Sequence, residues 1–184
     1  MQNPDDDASL VGRSAGGDDE AFEVLVTRYH RVLFKVALRT LGDYEDASDA
    51  TQAAFVKAYQ NLGSFDPRYR FFSWIYRILL NESLNTRRSR SRREQDDVPE
   101  EAAVQVAGNG TPLEALERTE RRQRVQRALL TLPDDYRQVV VLRHFAELSY
   151  EDIAATLAIP PRVVKSRLYT ARQRLAEALL GERT

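Results

Sequence analysis

Apolar residues recur along this chain at intervals of three and four, and every long element that this pattern predicts is a helix. Phe22, Leu25, Val26, Tyr29, Leu33, Val36 and Ala37 form one stripe, capped by Asp18 or Asp19 and ended by Gly42-Asp43. A second helix follows over about Tyr44 to Leu62. Its inner face is made of small residues, Ala47, Ala50, Ala54 and Ala58, and its outer face carries Asp46, Asp49 and Gln52 or Ala53. A third, Phe72 to Arg93, packs through Trp74, Ile75, Ile78 and Leu79 and turns Arg77, Asn81, Asn85, Arg88 and Arg92 to the other side. Thr111, Pro112 and Glu114 supply an N-cap, an N1 proline and an N3 acid for a helix that Leu132-Pro133-Asp134 stops. Tyr136 to Phe145 continues the series. Ser149 then caps a short helix through Ile153, Ala154 and Leu157, Ala158-Ile159 turn, and Pro160-Pro161 open a last helix with Val164, Leu168, Ala171 and Leu175 on its inner face.

No strand pairs, internal repeats or glycine-rich phosphate loops interrupt this pattern, so the predicted fold is all-α. The breaks in it predict two small helical domains joined by a flexible acidic linker. Residues 1–17 are expected to fray, 18–93 to form the first domain, 94–110 to be the linker and 111–184 to form the second domain.

A hydrophobic content of 42% with 30% charged residues fits a soluble protein with a core, and the apolar runs are too short to cross a membrane. The start after Met1 is acidic where a secretory signal would be basic, so the expected location is the cytoplasm, without membrane insertion. With no cysteine, the chain has no disulfide and no thiolate metal ligand, and two separate histidines, His30 and His144, give no basis for a metal site. No catalytic residue and no cofactor is expected, because no nucleophile, base and orienting group occur in combination.

The formal net charge of -1 conceals a strong alternation. Residues 1–60 hold 6 basic and 11 acidic side chains, 61–93 hold 8 and 2, 94–120 hold 1 and 8, and 121–184 hold 12 and 7. Two basic blocks around an acidic one are two separate footprints for an anionic polymer. The first block combines five arginines within seven residues, from Arg87 to Arg93, with an aromatic loop, GSFDPRYRF. Phe65, Tyr69, Phe71 and Phe72 there either stack on unpaired bases or staple the loop to the core. The second block has the outline of a helix-turn-helix whose outward residues, Arg162, Lys165, Ser166, Tyr169 and Gln173, suit a major groove. An ordinary solvated helical hairpin shares that outline.

The run EDASDATQAAFVKAYQNLGSF with FFSWIYRILLNESLNTRR closely resembles region 2 of the extracytoplasmic-function sigma factors of bacterial RNA polymerase, and LPDDYRQVVVLRHFAELSYEDIAATLAIPPRVVKSRLYTARQRL resembles their region 4. Both blocks stand in the expected order over roughly residues 18–180. The resemblance implies a dissociable subunit that brings core RNA polymerase to promoters and is not an enzyme. It implies contact of Asp46, Asp49 and Gln52 with the clamp helices of the beta-prime subunit, and names the beta flap as a second contact on core polymerase. It implies that Phe65, Tyr69, Phe72, Trp74, Arg77, Asn81, Arg87 and Arg88 engage the minus-ten element, with one base flipped out of the stack. It assigns Lys165, Ser166, Tyr169 and Thr170 to the minus-thirty-five element, with Arg162 and Arg167 nearby, and leaves Arg143, Arg172 and Arg174 as phosphate or structural contacts. It also implies an anti-sigma partner that masks these faces.

Three positions depart from the family pattern. Ala158 stands for the usual turn glycine, Arg162-Val163 for a Gly-Thr pair, and Thr170 for a frequent basic residue. The alternative reading is a stand-alone helix-turn-helix transcriptional regulator, which leaves the acidic face and the aromatic loop without a purpose.

Overall fold

The computed structural model describes residues 6–91 and 112–181. The predicted linker, 94–110, lies outside the described residues, as do the side chains of Arg87 and Arg88. Eight α-helices and no strand occur among the described residues: α1 (Asp7–Ala15), α2 (Asp19–Leu41), α3 (Tyr44–Gln60), α4 (Phe71–Ser91), α5 (Pro112–Leu130), α6 (Asp134–His144), α7 (Tyr150–Leu157) and α8 (Pro161–Gly181). A single 3-10 turn, Leu62–Ser64, follows α3.

The N-terminal half is built on α2 and α3. Asp18 caps α2 by accepting from the Ala21 amide at 3.1 Å, and Gly42 ends it in the left-handed region at φ 88°. The alanine stripe of α3 is fully buried, which lets α3 lie close against α2 and α4. Phe71, Ile75, Tyr76 and Leu79 of α4 complete this core.

The segment expected to fray contains a helix. Asp6 caps α1 by accepting from the Ser9 amide at 2.7 Å, and Leu10 and Val11 are buried. Asp7 pairs with Arg28 at 2.6 Å and accepts from the Tyr29 hydroxyl, which fixes α1 to α2. Two adjacent apolar residues make no readable period, so the packing that holds α1 is tertiary.

In the C-terminal half α6 and α7 pack on α8, with Val139 to Leu142, Ile153, Val164, Leu168 and Ala171 buried. Arg137 is the chief polar anchor. Only 6% exposed, it donates to the carbonyls of Leu129 (3.0 Å), Leu130 (3.0 Å) and Leu132 (2.8 Å) at the end of α5, and to that of Thr40 (2.8 Å) in α2. The Leu129 carbonyl also accepts from the Leu132 amide at 3.1 Å, and one planar guanidinium serves all four carbonyls at the end of two helices together.

The two helical domains expected from the sequence are in contact with each other, and their buried residues adjoin. One contact joins the end of α2 to α5 and α6. There Gln126 bridges the Arg39 guanidinium (2.7 Å) and the Leu38 carbonyl (3.1 Å), while Arg39 lies 5.0 Å over the Phe145 ring. A β-carbon on Gly42 would stand 2.7 Å from a methyl of the partly exposed Leu130, which would have to shift, and the φ of 88° itself favours glycine at this corner. The other contact joins α4 to α7.

Candidate nucleic-acid interface

The helix-turn-helix begins with a reciprocal cap. Ser149 accepts from the Asp152 amide at 3.0 Å, and its hydroxyl donates to the Asp152 carboxylate at 2.8 Å, starting α7 where the Ser-x-x-Asp spacing predicts. Ala158 ends α7 at φ 53° and ψ 43°, a left-handed conformation natural for glycine. Ala158→Gly is therefore expected to stabilise the fold by about 0.5–1 kcal/mol, the relieved strain outweighing the added chain entropy. Thermal denaturation checks this, and a lower melting temperature would contradict it.

On α8, Val164, Leu168 and Ala171 are buried while Arg162, Lys165, Ser166 and Tyr169 are exposed, as the 3.6-residue period predicts. Tyr169 is 66% exposed, and Gln173 donates to its hydroxyl at 3.1 Å. Thr170 is half-buried at the edge of this face. Arg167 is held by Asp135 of α6 at 2.6 Å, so in this conformation it joins α8 to α6 instead of reaching outward. Arg174 lies 4.8 Å over the Tyr136 ring, and Arg143 donates to the Leu148 carbonyl at 2.8 Å while covering Tyr150. These two arginines have structural work in the fold. Burial, and then the charges of Arg172 and Arg143, hold the His144 imidazole below its usual range, so this end of the domain gains no cation from it at neutral pH.

The aromatic loop divides into supports and exposed groups. Phe71 is fully buried and Phe72 is 5% exposed, against Tyr29 and Tyr76. The expectation that Phe72 meets DNA does not hold in this conformation, because its ring belongs to the core. Phe65 and Trp74 are half-buried and meet edge-on with centroids 5.5 Å apart, so they too support the loop. Asp66 takes the Arg68 guanidinium at 2.6 Å and the Arg68 amide at 3.0 Å, and these bonds hold its carboxyl below the usual range. Tyr69 is 45% exposed at the rim, with the Arg77 guanidinium 5.5 Å over its ring, and Asn81 is exposed one turn further along α4.

On α3 the exposed face is centred on Glu45, Asp49, Gln52 and Val56. Asp46 lies at its half-buried edge beside the Asp43 cap. Val56 is 56% exposed and Tyr59 43%, so an apolar continuation extends the acidic stripe. Sequence reading missed both, although the spacing 49, 52, 56 carries the signal. Among the described residues no acidic or histidine cluster could hold a metal, and no helix is long and apolar enough to cross a membrane.

Comparison with known proteins agrees with this layout. Residues 25–93 match the family model for sigma-70 region 2, and residues 122–175 match that for sigma-70 region 4. The chain is 37% identical to the RNA polymerase sigma-H factor of Pseudomonas aeruginosa, over 97% of this chain and 96% of that one. It is 34% identical to the ECF RNA polymerase sigma factor SigW of Bacillus subtilis, over 89% and 91%. Among solved structures it resembles CnrH, described in complex with the cytosolic domain of CnrY, at a TM-score of 0.70 and 29% identity over 97% of this chain and 99% of that one. It likewise resembles the sigma factor RpoE in complex with the anti-sigma factor NepR from Bartonella quintana, at a TM-score of 0.69 and 28% identity over 86% and 96%. With both blocks in order, and relatives matched over nearly their whole length, the chain belongs to the extracytoplasmic-function sigma factors of the sigma-70 family.

Proposed function

We propose that this sigma factor docks on core RNA polymerase through α3, reads the minus-thirty-five element with α8 and the minus-ten element with the rim of the aromatic loop and α4. The observation that carries the reading is the pairing in one chain of an acidic, partly apolar exposed face on α3 with the exposed Arg162, Lys165, Ser166 and Tyr169 on α8. Opposite charge on the polymerase would steer docking, while specificity rests on the few side chains that reach base edges. Val56 adds apolar area at the centre of the docking face, where charge alone gives little affinity.

On α8, Lys165 and Ser166 are the base readers, and Arg162 holds phosphate at the groove entrance. At the other end Tyr69 and Asn81 receive an unpaired base, on a platform that Phe65, Phe72 and Trp74 keep rigid, and Arg77 holds the backbone. The chain contributes binding and orientation and no catalytic group, and it acts in the cytoplasm beside the polymerase. An anti-sigma factor holds it inactive, in keeping with the complexes described for its structural relatives.

The test of the reading face is promoter binding by the holoenzyme. Lys165→Ala is expected to weaken binding by about 1–3 kcal/mol at the cognate minus-thirty-five element and to lose discrimination at one base position. Arg162→Ala is expected to weaken binding evenly across sequences and to lower the salt dependence. Uniform losses for both variants would contradict the assignment.

A further inference from the structure

We propose that α1 braces both roots of the aromatic loop, and that Asp7, acting through Tyr29, is a positioning residue for capture of the unpaired base. The inference rests on the base-receiving reading of Tyr69 and Asn81 given above and concerns what holds that site in shape. The Asp7 carboxylate is engaged on both oxygens. Oδ1 takes the Arg28 guanidinium at 2.6 Å, which turns Oδ2 toward the Tyr29 hydroxyl that donates to it. Burial, and then this bond, hold the hydroxyl above the ordinary phenol range, so it remains a donor at neutral pH.

Tyr29 carries the constraint from α1 into the loop. Its ring centroid lies 5.3 Å from that of Phe71 and 6.2 Å from that of Phe72. Phe71 in turn stands 6.0 Å from Phe65 and 5.6 Å from Trp74, so the rings at this root of the loop rest on one whose angle a hydroxyl bond sets. Tyr69, the exposed ring at the rim, comes shortly before Phe71 in the chain. The other root is held separately. There α1 packs on the turn Leu62–Ser64, and Leu10, Val11 and Leu62 are all buried.

These two supports differ in kind. Apolar contact through Leu10 and Val11 seats α1 but fixes no direction, whereas the Asp7 bonds are directional and set the Tyr29 ring. A nine-residue helix is too short to persist alone in water, so α1 orders together with the surfaces it touches. A platform ordered in advance leaves the binding free energy for the flipped base, and one that must order on contact does not.

Trp74 is the only tryptophan of the chain and lies within this ring cluster, so its emission reads the loop without DNA. In the full chain, Tyr29→Phe and Asp7→Ala are each expected to raise acrylamide quenching of Trp74 about twofold, as local opening exposes it. The second readout is promoter opening by holoenzyme, on a fragment chosen by run-off transcription and carrying aminopurine in its minus-ten strand. Both variants should open it about three- to tenfold more slowly, the range that one lost charge-assisted hydrogen bond supplies. Affinity for core polymerase should be unchanged. Asp7→Asn keeps a carbonyl oxygen for the Tyr29 hydroxyl and should stay within about twofold of the parent in both readouts, while the double variant should be no slower than Asp7→Ala. Unchanged quenching in Tyr29→Phe and Asp7→Ala overturns the bracing. An Asp7→Asn variant as slow as Asp7→Ala assigns the effect to the Arg28 pair and overturns the relay through Tyr29. Altered quenching with normal opening overturns the positioning role while Tyr69→Ala still slows opening. If Tyr69→Ala also opens normally, the base-receiving reading itself fails, and the role of Asp7 in it falls with that reading.

Discussion

Replacing Arg137 by methionine is expected to lower stability by about 3–5 kcal/mol, seen as a fall of roughly 10–15 °C in the melting temperature. Methionine fills a comparable volume but leaves the carbonyls of Leu129, Leu130, Leu132 and Thr40 without the donor they now share. A buried polar group stripped of its partner costs about 1–3 kcal/mol; the Leu129 carbonyl keeps the Leu132 amide, while those of Leu130, Leu132 and Thr40 lose the Arg137 donor, partly offset by water and by loss of the desolvated charge. For a domain of this size each kcal/mol shifts the midpoint by about 2–4 °C. Arg162→Ala, on the exposed face of α8, provides the contrast and should stay within about 0.5 kcal/mol of the parent. Equal effects in calorimetry would show that Arg137 is not an anchor.

Asp49→Lys is expected to weaken binding to core polymerase by about 2–3 kcal/mol, roughly thirty- to a hundred-and-fiftyfold, with most of the loss at low salt. Asp49 is exposed in the middle of the α3 stripe, away from the alanines that pack on α2, so a lysine there leaves the fold intact and inverts the charge presented. Like charges brought together at an interface oppose association by several kcal/mol at close range, less at a solvated rim. Binding of the C-terminal half to minus-thirty-five DNA should be unchanged. Titration of labelled core polymerase reads the first effect and a thermal melt guards against misfolding.

What the sequence made legible follows from where each signal sits in the chain. The caps by Asp18, Asp43 and Ser149, the alanine stripe of α3 and the split of α8 into packed and exposed faces are local patterns, set by residues three or four apart. Helix α1 escaped because Leu10 and Val11 form no period, and what holds them is a pair of bonds from Asp7 to residues 21 and 22 positions later. Arg137 looked like one more cation in a basic segment. Its role depends on carbonyls in α5 and in a helix 97 residues earlier, which no spacing rule reveals. Among the candidate site residues, Tyr69 is exposed and α8 presents Arg162, Lys165, Ser166 and Tyr169 outward, an exposure that the helical period predicts, whereas Phe72 is indistinguishable in sequence from an exposed ring. Arg77 shows the same limit from the other side. Its position on the polar stripe of α4 was correctly read, but its partners in α7 lie 78 and 79 residues away.

The direct test of the central claim is run-off transcription with purified core polymerase freed of its own sigma factor, on genomic fragments, with and without this chain. The account predicts RNA with discrete 5′ ends that requires the chain, is lost with Asp49→Lys, and shifts in promoter preference with Lys165→Ala. Absence of any chain-dependent start site, with core polymerase shown active on a nicked template, would contradict it.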